Sequence, residues 1–275
     1  MKTILMAAAA TLALATTAHA QTAGDWSGAY VGATLGYADR SESSSETILF
    51  DTNLDGNYGD TVRTAAGADA FSPGFCGGSF NTNAAPGGCR GDDDTDFEWS
   101  VRGGYDLQFG DWVVGGLVEY SKLELSDAVT AFSTTPAAYN FTRKLTSTFA
   151  ARARGGYAFD NVLLYATGGY AVGNMKHSFR TTNTANIFPA SGGGDGKGYQ
   201  FGLGGEHKFT PNISVGLEWL RTDLKDDDFT VRASNSGTTA PTNPFLLVNT
   251  AGTDFLRSKE HFKFDSFRVT ASYRF

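Results

Sequence analysis

The chain has 275 residues, with 29 acidic against 22 basic side chains and a formal net charge of -7, so it has no basic stripe with which to displace counterions from a nucleic acid. A nucleic-acid partner is therefore excluded. Its 41% hydrophobic content, 34 glycines and 7 prolines fit a single folded domain and exclude a disordered chain.

The first predicted element is an export signal. Lys2 is followed by an apolar run over 4–15, too short to cross a bilayer as a helix, and by the cleavage pattern Ala18-His19-Ala20. Cleavage after Ala20 leaves a mature domain over 21–275, and Gln21 in place of a Cys argues against a lipid anchor. No later segment supplies the roughly 18 consecutive apolar residues of a membrane helix.

The mature chain instead shows period-two alternation in short segments. The first, 28–38, is strand-like by content. In 96–107, Phe97, Trp99, Val101, Tyr105 and Leu107 oppose Glu98, Ser100, Arg102 and Asp106. In 112–122 the facing is ambiguous, because Val113 and Leu117 share a face with Glu119. In 144–159, Leu145, Phe149, Ala151, Ala153, Tyr157 and Phe159 oppose Lys144, Thr146, Thr148, Arg152 and Arg154. Segment 162–173 is apolar on both faces. In 199–209, Tyr199, Phe201, Leu203 and Phe209 oppose Gln200, Glu206 and Lys208; in 213–222, Val215, Leu217 and Trp219 oppose Ser214 and Glu218. The last segment sets Phe267, Val269, Ala271, Tyr273 and Phe275 against Ser266, Arg268, Thr270, Ser272 and Arg274.

The connections alternate in length. Short turns fall at 108–111, 160–161 and 210–212, and long polar ones over 39–95, 123–142, 174–196 and 223–260. This pattern predicts an all-β fold: an eight-stranded antiparallel transmembrane β-barrel with long extracellular loops, short periplasmic turns and both termini in the periplasm. Glycine pairs inside the strands suit a narrow barrel that passes large inward side chains over small ones. Aromatics gather beside the short turns at Tyr105, Phe109, Trp112, Tyr157, Phe159, Phe209, Tyr273 and Phe275, as an interfacial girdle requires. The charges Glu98, Arg102, Lys144, Arg152, Arg154, Glu206, Lys208, Glu218, Arg268 and Arg274 are expected to point into the lumen, pair and plug it.

The opening strand Asp25-Trp26-Ser27-Gly28-Ala29-Tyr30-Val31-Gly32 resembles that of the small porin-family outer-membrane proteins of alphaproteobacteria, which include surface antigens and haemin-binding proteins. The hairpin Arg154-Gly155-Gly156-Tyr157-Ala158-Phe159-Asp160-Asn161-Val162-Leu163 is similar to that family's central hairpin. The terminal Tyr273-Arg274-Phe275 resembles the aromatic signal read by the barrel-assembly machinery, with Thr270 standing where that signal usually has Gly. The resemblance spans the mature chain and implies the fold more sharply than an activity.

Residues that could carry chemistry are few. Cys76 and Cys89, the only cysteines, lie in one loop of an exported chain and are expected to form a disulfide, with a metal pair or free thiol as alternatives. Asp51, Asn53 and Asp55 followed by Gly56 match the first half of a calcium loop, but position twelve is Val62 rather than a Glu, which leaves a plain solvated loop as the other reading. The triplets Asp92-Asp93-Asp94 and Asp226-Asp227-Asp228 read as solvated rims or as cation bridges to lipopolysaccharide. His177, His207 and His261 lack a nucleophile setting, so no catalytic residue, cofactor or metal is assigned and an enzyme is not expected. The expected function is a structural or surface-interacting outer-membrane scaffold displaying polar loops. The alternatives are a small-solute or ion pore and a haemin-binding or adhesion protein. Expected partners are outer-membrane lipids and lipopolysaccharide, with the barrel-assembly machinery acting on the C-terminal strand.

Overall fold

The computed structural model describes residues 24–40, 46–91 and 95–275. The expected signal peptide and the Asp92-Asp93-Asp94 triplet lie outside the described residues. Eight long strands form the body: β1 Gly28–Arg40, β2 Thr95–Phe109, β3 Trp112–Ser133, β4 Ala137–Phe159, β5 Val162–Thr181, β6 Gly196–Lys208, β7 Ile213–Lys225 and β8 His261–Arg274. Each pairs antiparallel with its neighbour in sequence, and β1 also pairs with β8, which closes the ring. Closure satisfies the backbone of every strand laterally, as a chain without water around it must.

The short turns set one end of the barrel. Phe109 pairs with Trp112 across Gly110-Asp111, and Phe159 with Val162 across Asp160-Asn161. Gly110 and Asp160 sit at φ 62° and 49°, the left-handed region that tight hairpin turns demand. Outside, alternate residues form an apolar belt, including Leu35, Val101, Val118, Phe149, Leu203 and Val269, each at least half exposed. The pleat sends the opposite residues inward, where the glycines matter: a Cβ on Gly104 would overlap the Tyr30 ring, and one on Gly204 the Tyr165 ring. Both segments with ambiguous facing are now resolved. In β3, Val113, Leu117 and Glu119 point inward; in β5, Leu163, Tyr165 and Ala171 do so while Leu164 and Tyr170 face out.

The loop end departs from expectation. Residues 123–142 are not a loop: β3 and β4 continue as a hairpin whose turn is only residues 134–136, and β5 runs on to Thr181. The other long connections are not merely polar. Ile48–Asp51, Phe229–Asn235, Thr253–Arg257, Asn186–Ile187 and Ala190–Gly192 form a second, five-stranded sheet. Under it Phe50, Phe71, Tyr139, Phe141, Phe245 and Phe255 are buried together with Ile48, Val129 and Val231. Burying each such side chain contributes about 1.5–3 kcal/mol, enough to hold these segments as one folded cap.

A second departure is in β4. The pairing of β4 with both neighbours shifts register beside Leu145, at 122–125 on β3 and at 145–147 on β4 itself. An extra residue reverses the alternation from there on. Leu145, expected on the lipid face, is therefore fully buried inside, whereas Lys144, expected in the lumen, points outward to Glu124 at 2.6 Å.

Candidate functional site

The barrel interior is layered along the strands. Its floor is the segment before β1: Trp26 is fully buried beside Val113, Ala158, Leu163 and Tyr165, with its indole N–H donated to the Asp160 carbonyl. The Lys208 ammonium and the Arg274 guanidinium lie over the Trp26 ring at 4.7 and 5.6 Å, and Arg274 also donates to the Trp26 and Gly28 carbonyls. The N-terminal segment thus closes the turn end of the lumen.

Above the floor is a charge layer supplied by β2, β3, β4, β6, β7 and β8, with the Tyr165 hydroxyl added from β5. Asp106 accepts from Arg154 at 2.5 Å and from Arg274 at 2.8 Å. Glu206 takes Arg154 at 2.6 Å, Arg102 at 3.3 Å and the Ser214 hydroxyl at 2.9 Å. Glu119 takes Arg268 at 2.8 Å and Arg152 at 3.0 Å, and Glu98 takes Arg268 at 3.0 Å. Glu218 sits at the centre, accepting from Arg102 and Arg152, each at 3.4 Å, from Arg268, and from the Tyr165 hydroxyl at 2.8 Å. All of these groups are at most 5% exposed. Apart from Lys144, each charge expected in the lumen is found there. Asp106 and Glu119 join them, though neither was singled out as a lumenal charge.

Next comes a neutral polar layer, in which Thr34 and Ser100 meet at 2.7 Å and Gln200 donates to Thr222 at 3.1 Å. Above it is an apolar layer with no counterpart in the sequence reading: Leu123, Leu125, Leu145, Leu224, Phe262 and Phe264 close the lumen below the cap. Leu123 and Leu125 continue the odd-numbered inward row of β3, whereas the inward Leu145 depends on the β4 bulge. Side chains thus fill the lumen by two different means.

A second charge cluster ties the barrel to the cap, past the point where Lys122 and Glu124 end the outward apolar row of β3. Asp127 holds Arg143 at 2.8 Å, Arg257 at 2.7 Å and Arg40 at 3.1 Å, while Arg257 also grips Glu46 at 2.7 Å. Burial pushes the Asp127 carboxyl up, but Arg257, Arg143 and Arg40 outweigh it and hold it below the usual 3.8. Asp226 is a correction to the solvated-rim reading: it is buried, taking Arg143 at 3.5 Å and His177 at 2.9 Å. Asp227 and Asp228 remain exposed.

The other candidates find local explanations. Cys76 and Cys89 are joined by a disulfide, with their Cα atoms 6.0 Å apart, beside the strand Gly74–Gly77 that pairs with β3. Asp51 is 2% exposed and spends its carboxylate on the backbone N–H groups of Leu54, Asp55 and Gly56 at 2.7, 3.2 and 2.8 Å. Asn53 and Asp55 bond each other at 3.1 Å, and Val62 is buried in the cap core. The motif therefore serves as a turn that caps its own backbone. The histidines are dispersed: His177 stacks on Phe229 under the cap, His261 meets Asp223 on the outer face at 2.6 Å, and His207 is exposed beside Phe209 at the turn end.

The chain is similar in structure to the outer membrane protein OprG from Pseudomonas aeruginosa, at 9% identity over 90% of this chain and 97% of that one, with a TM-score of 0.49. It is also similar to Neisserial surface protein A, at 11% identity over 90% and 98% of the two chains with a TM-score of 0.38. The outer membrane protease OmpT from Escherichia coli matches at 11% identity over 90% and 97%, with a TM-score of 0.39. No curated relative matches in sequence. The model of the outer membrane protein beta-barrel domain matches residues 7–275, and the chain belongs to that family of outer-membrane barrels.

Proposed function

We propose that this protein is a closed surface scaffold: a barrel with a filled lumen that carries a folded cap outside the cell, with both termini in the periplasm. The observation that carries the reading is the lumen itself, in which a charge layer and an apolar layer are stacked in series. A hydrated ion would have to break several buried pairs and then cross a dry layer of leucine and phenylalanine. The orientation is supported by the position of the short turns at the end where the termini lie. A non-enzymatic role is supported by the three dispersed histidines, none of which meets a serine or cysteine nucleophile among the described residues. Membership of the alphaproteobacterial surface-antigen group rests on the resemblance of the first strand and central hairpin. Recognition of the C-terminal strand by the assembly machinery rests on Tyr273-Arg274-Phe275.

Purified protein reconstituted in planar bilayers tests the closed lumen. Silent membranes or brief, small openings are expected. A steady, porin-like conductance from the full-length mature chain would overturn the scaffold reading in favour of a pore.

A further inference from the structure

The outward face of the barrel near the loop end sets lysines directly against one another twice. Lys144 faces Lys176 across β4 and β5, and Lys197 faces Lys225 across β6 and β7. Like charges opposite each other in an antiparallel pair are destabilising. Glu124 takes Lys144 at 2.6 Å and Glu260 takes Lys225 at 2.8 Å. Lys176 and Lys197 are exposed and have no carboxylate within 4.0 Å among the described residues. Asp195, near Lys197 in sequence, is held instead by the Asn174 amide at 3.2 Å.

Their depth is set by the aromatic residues on the same outward rows. Tyr199 is two residues from Lys197 on β6, Tyr170 pairs with Tyr199 and their rings meet edge to face at 6.3 Å, and Lys176 stands six residues beyond Tyr170 on β5. Exposed tyrosines on a barrel wall mark the boundary between hydrocarbon and headgroups. Lys197 and Lys225 therefore stand at the headgroup level, and Lys176 and Lys144 stand about 13 Å further along the strands on the loop side of it. The turn end is different: its outward girdle of Phe109, Trp112, Phe159 and Phe209 is flanked by Asp111 and Asp160, while the basic Lys208 and Arg274 turn inward. Among the described residues, outward cations thus belong to one end of the wall, which suits a membrane with strongly anionic phosphates in one leaflet.

We propose that the unpaired Lys176 and Lys197, with Lys144 and Lys225 opposite them, form a binding surface for the phosphates of lipopolysaccharide. This rests on the proposed orientation, with the loop end outside the cell. A phosphate group placed between facing lysines turns two repulsive cross-strand pairs into attractive ones, and the acyl chains then lie along the apolar wall below the tyrosines.

The test is binding of lipopolysaccharide to the folded barrel in zwitterionic detergent, read by native mass spectrometry. Lys176→Gln combined with Lys197→Gln is compared with the doubly arginine-substituted control, and heat-modifiable migration confirms that both are folded. At least a tenfold weaker Kd is expected for the glutamine pair and little change for the arginine pair. Wild-type binding should be lost to enzymatically dephosphorylated lipopolysaccharide and be weaker for phosphatidylglycerol. Equal binding by the glutamine pair, or equal binding of the dephosphorylated lipid, would overturn the proposal, as would phosphatidylglycerol binding as tightly. Such a failure leaves the orientation standing, whereas a cap shielded from protease added to intact cells would overturn both.

Discussion

Removing the Glu218 carboxylate is the sharpest perturbation of the lumen. That single group accepts from three guanidiniums, of Arg102, Arg152 and Arg268, and from the Tyr165 hydroxyl. Taking one partner from a buried ion pair costs about 3–5 kcal/mol, mostly because the charge left behind is uncompensated. Here each arginine keeps another carboxylate: Glu206 for Arg102, Glu119 for Arg152, and Glu98 and Glu119 for Arg268. The expected loss for Glu218→Ala therefore lies near the lower figure, about 3 kcal/mol, which is still a large share of a typical 5–15 kcal/mol. Glu218→Gln keeps the shape and an acceptor for Tyr165, so any loss it shows isolates the missing charge. Arg152→Ala should fall in the same range, while Asp227→Ala at an exposed loop position should be close to wild type. Urea titration of the barrel refolded in detergent, followed by tryptophan fluorescence, reads these differences. A Glu218→Ala barrel that folds and unfolds within about 0.5 kcal/mol of wild type would refute the view that the layer is held by mutual compensation.

Non-reducing peptide mapping of protein from the outer membrane should recover Cys76 linked to Cys89, and reduction should raise proteolysis of the cap while leaving the barrel folded; two free thiols would contradict this. The mature protein should run faster unboiled than boiled in detergent gels, because a closed ring resists unfolding; identical mobility would count against closure. Acid should loosen the cap. Asp127 has its carboxyl lowered in the folded state, so its contribution is present above the unfolded value of 3.8 and is lost as pH falls through the lower folded value. Limited proteolysis should therefore accelerate in the cap at or below about pH 3.8 before the barrel yields, and Asp127→Asn should show the faster cleavage already at neutral pH.

The barrel was legible because membrane and lumen demand opposite chemistry of alternate residues. The segment with Phe97, Trp99 and Val101 against Glu98, Ser100 and Arg102 has only one way to face. The facing of β3 and β5 was not legible because their inward residues include Val113, Leu163 and Ala171, which line an apolar floor and an apolar upper layer rather than charge, and Leu117, an apolar residue buried opposite Arg152. An interior that changes character along its length defeats a rule that equates apolar with outward. The β4 bulge was hidden for a related reason. Lys144-Leu145-Thr146 continues the alternation without interruption, and only the pairing with β3 and β5 reveals the extra residue.

The cap was missed although its signal was present. Phe229-Thr230-Val231-Arg232-Ala233 and Ala137-Ala138-Tyr139-Asn140-Phe141 alternate as clearly as any membrane strand, but they fall in connections dominated by Ser, Thr, Asn and Gly. What they bury is one another, in a core of phenylalanines that no single loop could enclose. This bears on why the two charge clusters sit where they do. The lower cluster satisfies lumenal positions of a narrow barrel, where any charge must be matched in place. The upper one, through Asp127, Arg257, Glu46 and Arg40, joins β3 and β1 to two neighbouring strands at one edge of the cap sheet, fixing the cap in one position over the apolar layer. An apolar core and an apolar seal could slide against each other, since packing alone is weakly directional. Arg257 donating from the cap to both the carbonyl and the carboxylate of Asp127 on β3 is directional, so rigidity at the loop end follows from placing charge between two greasy layers.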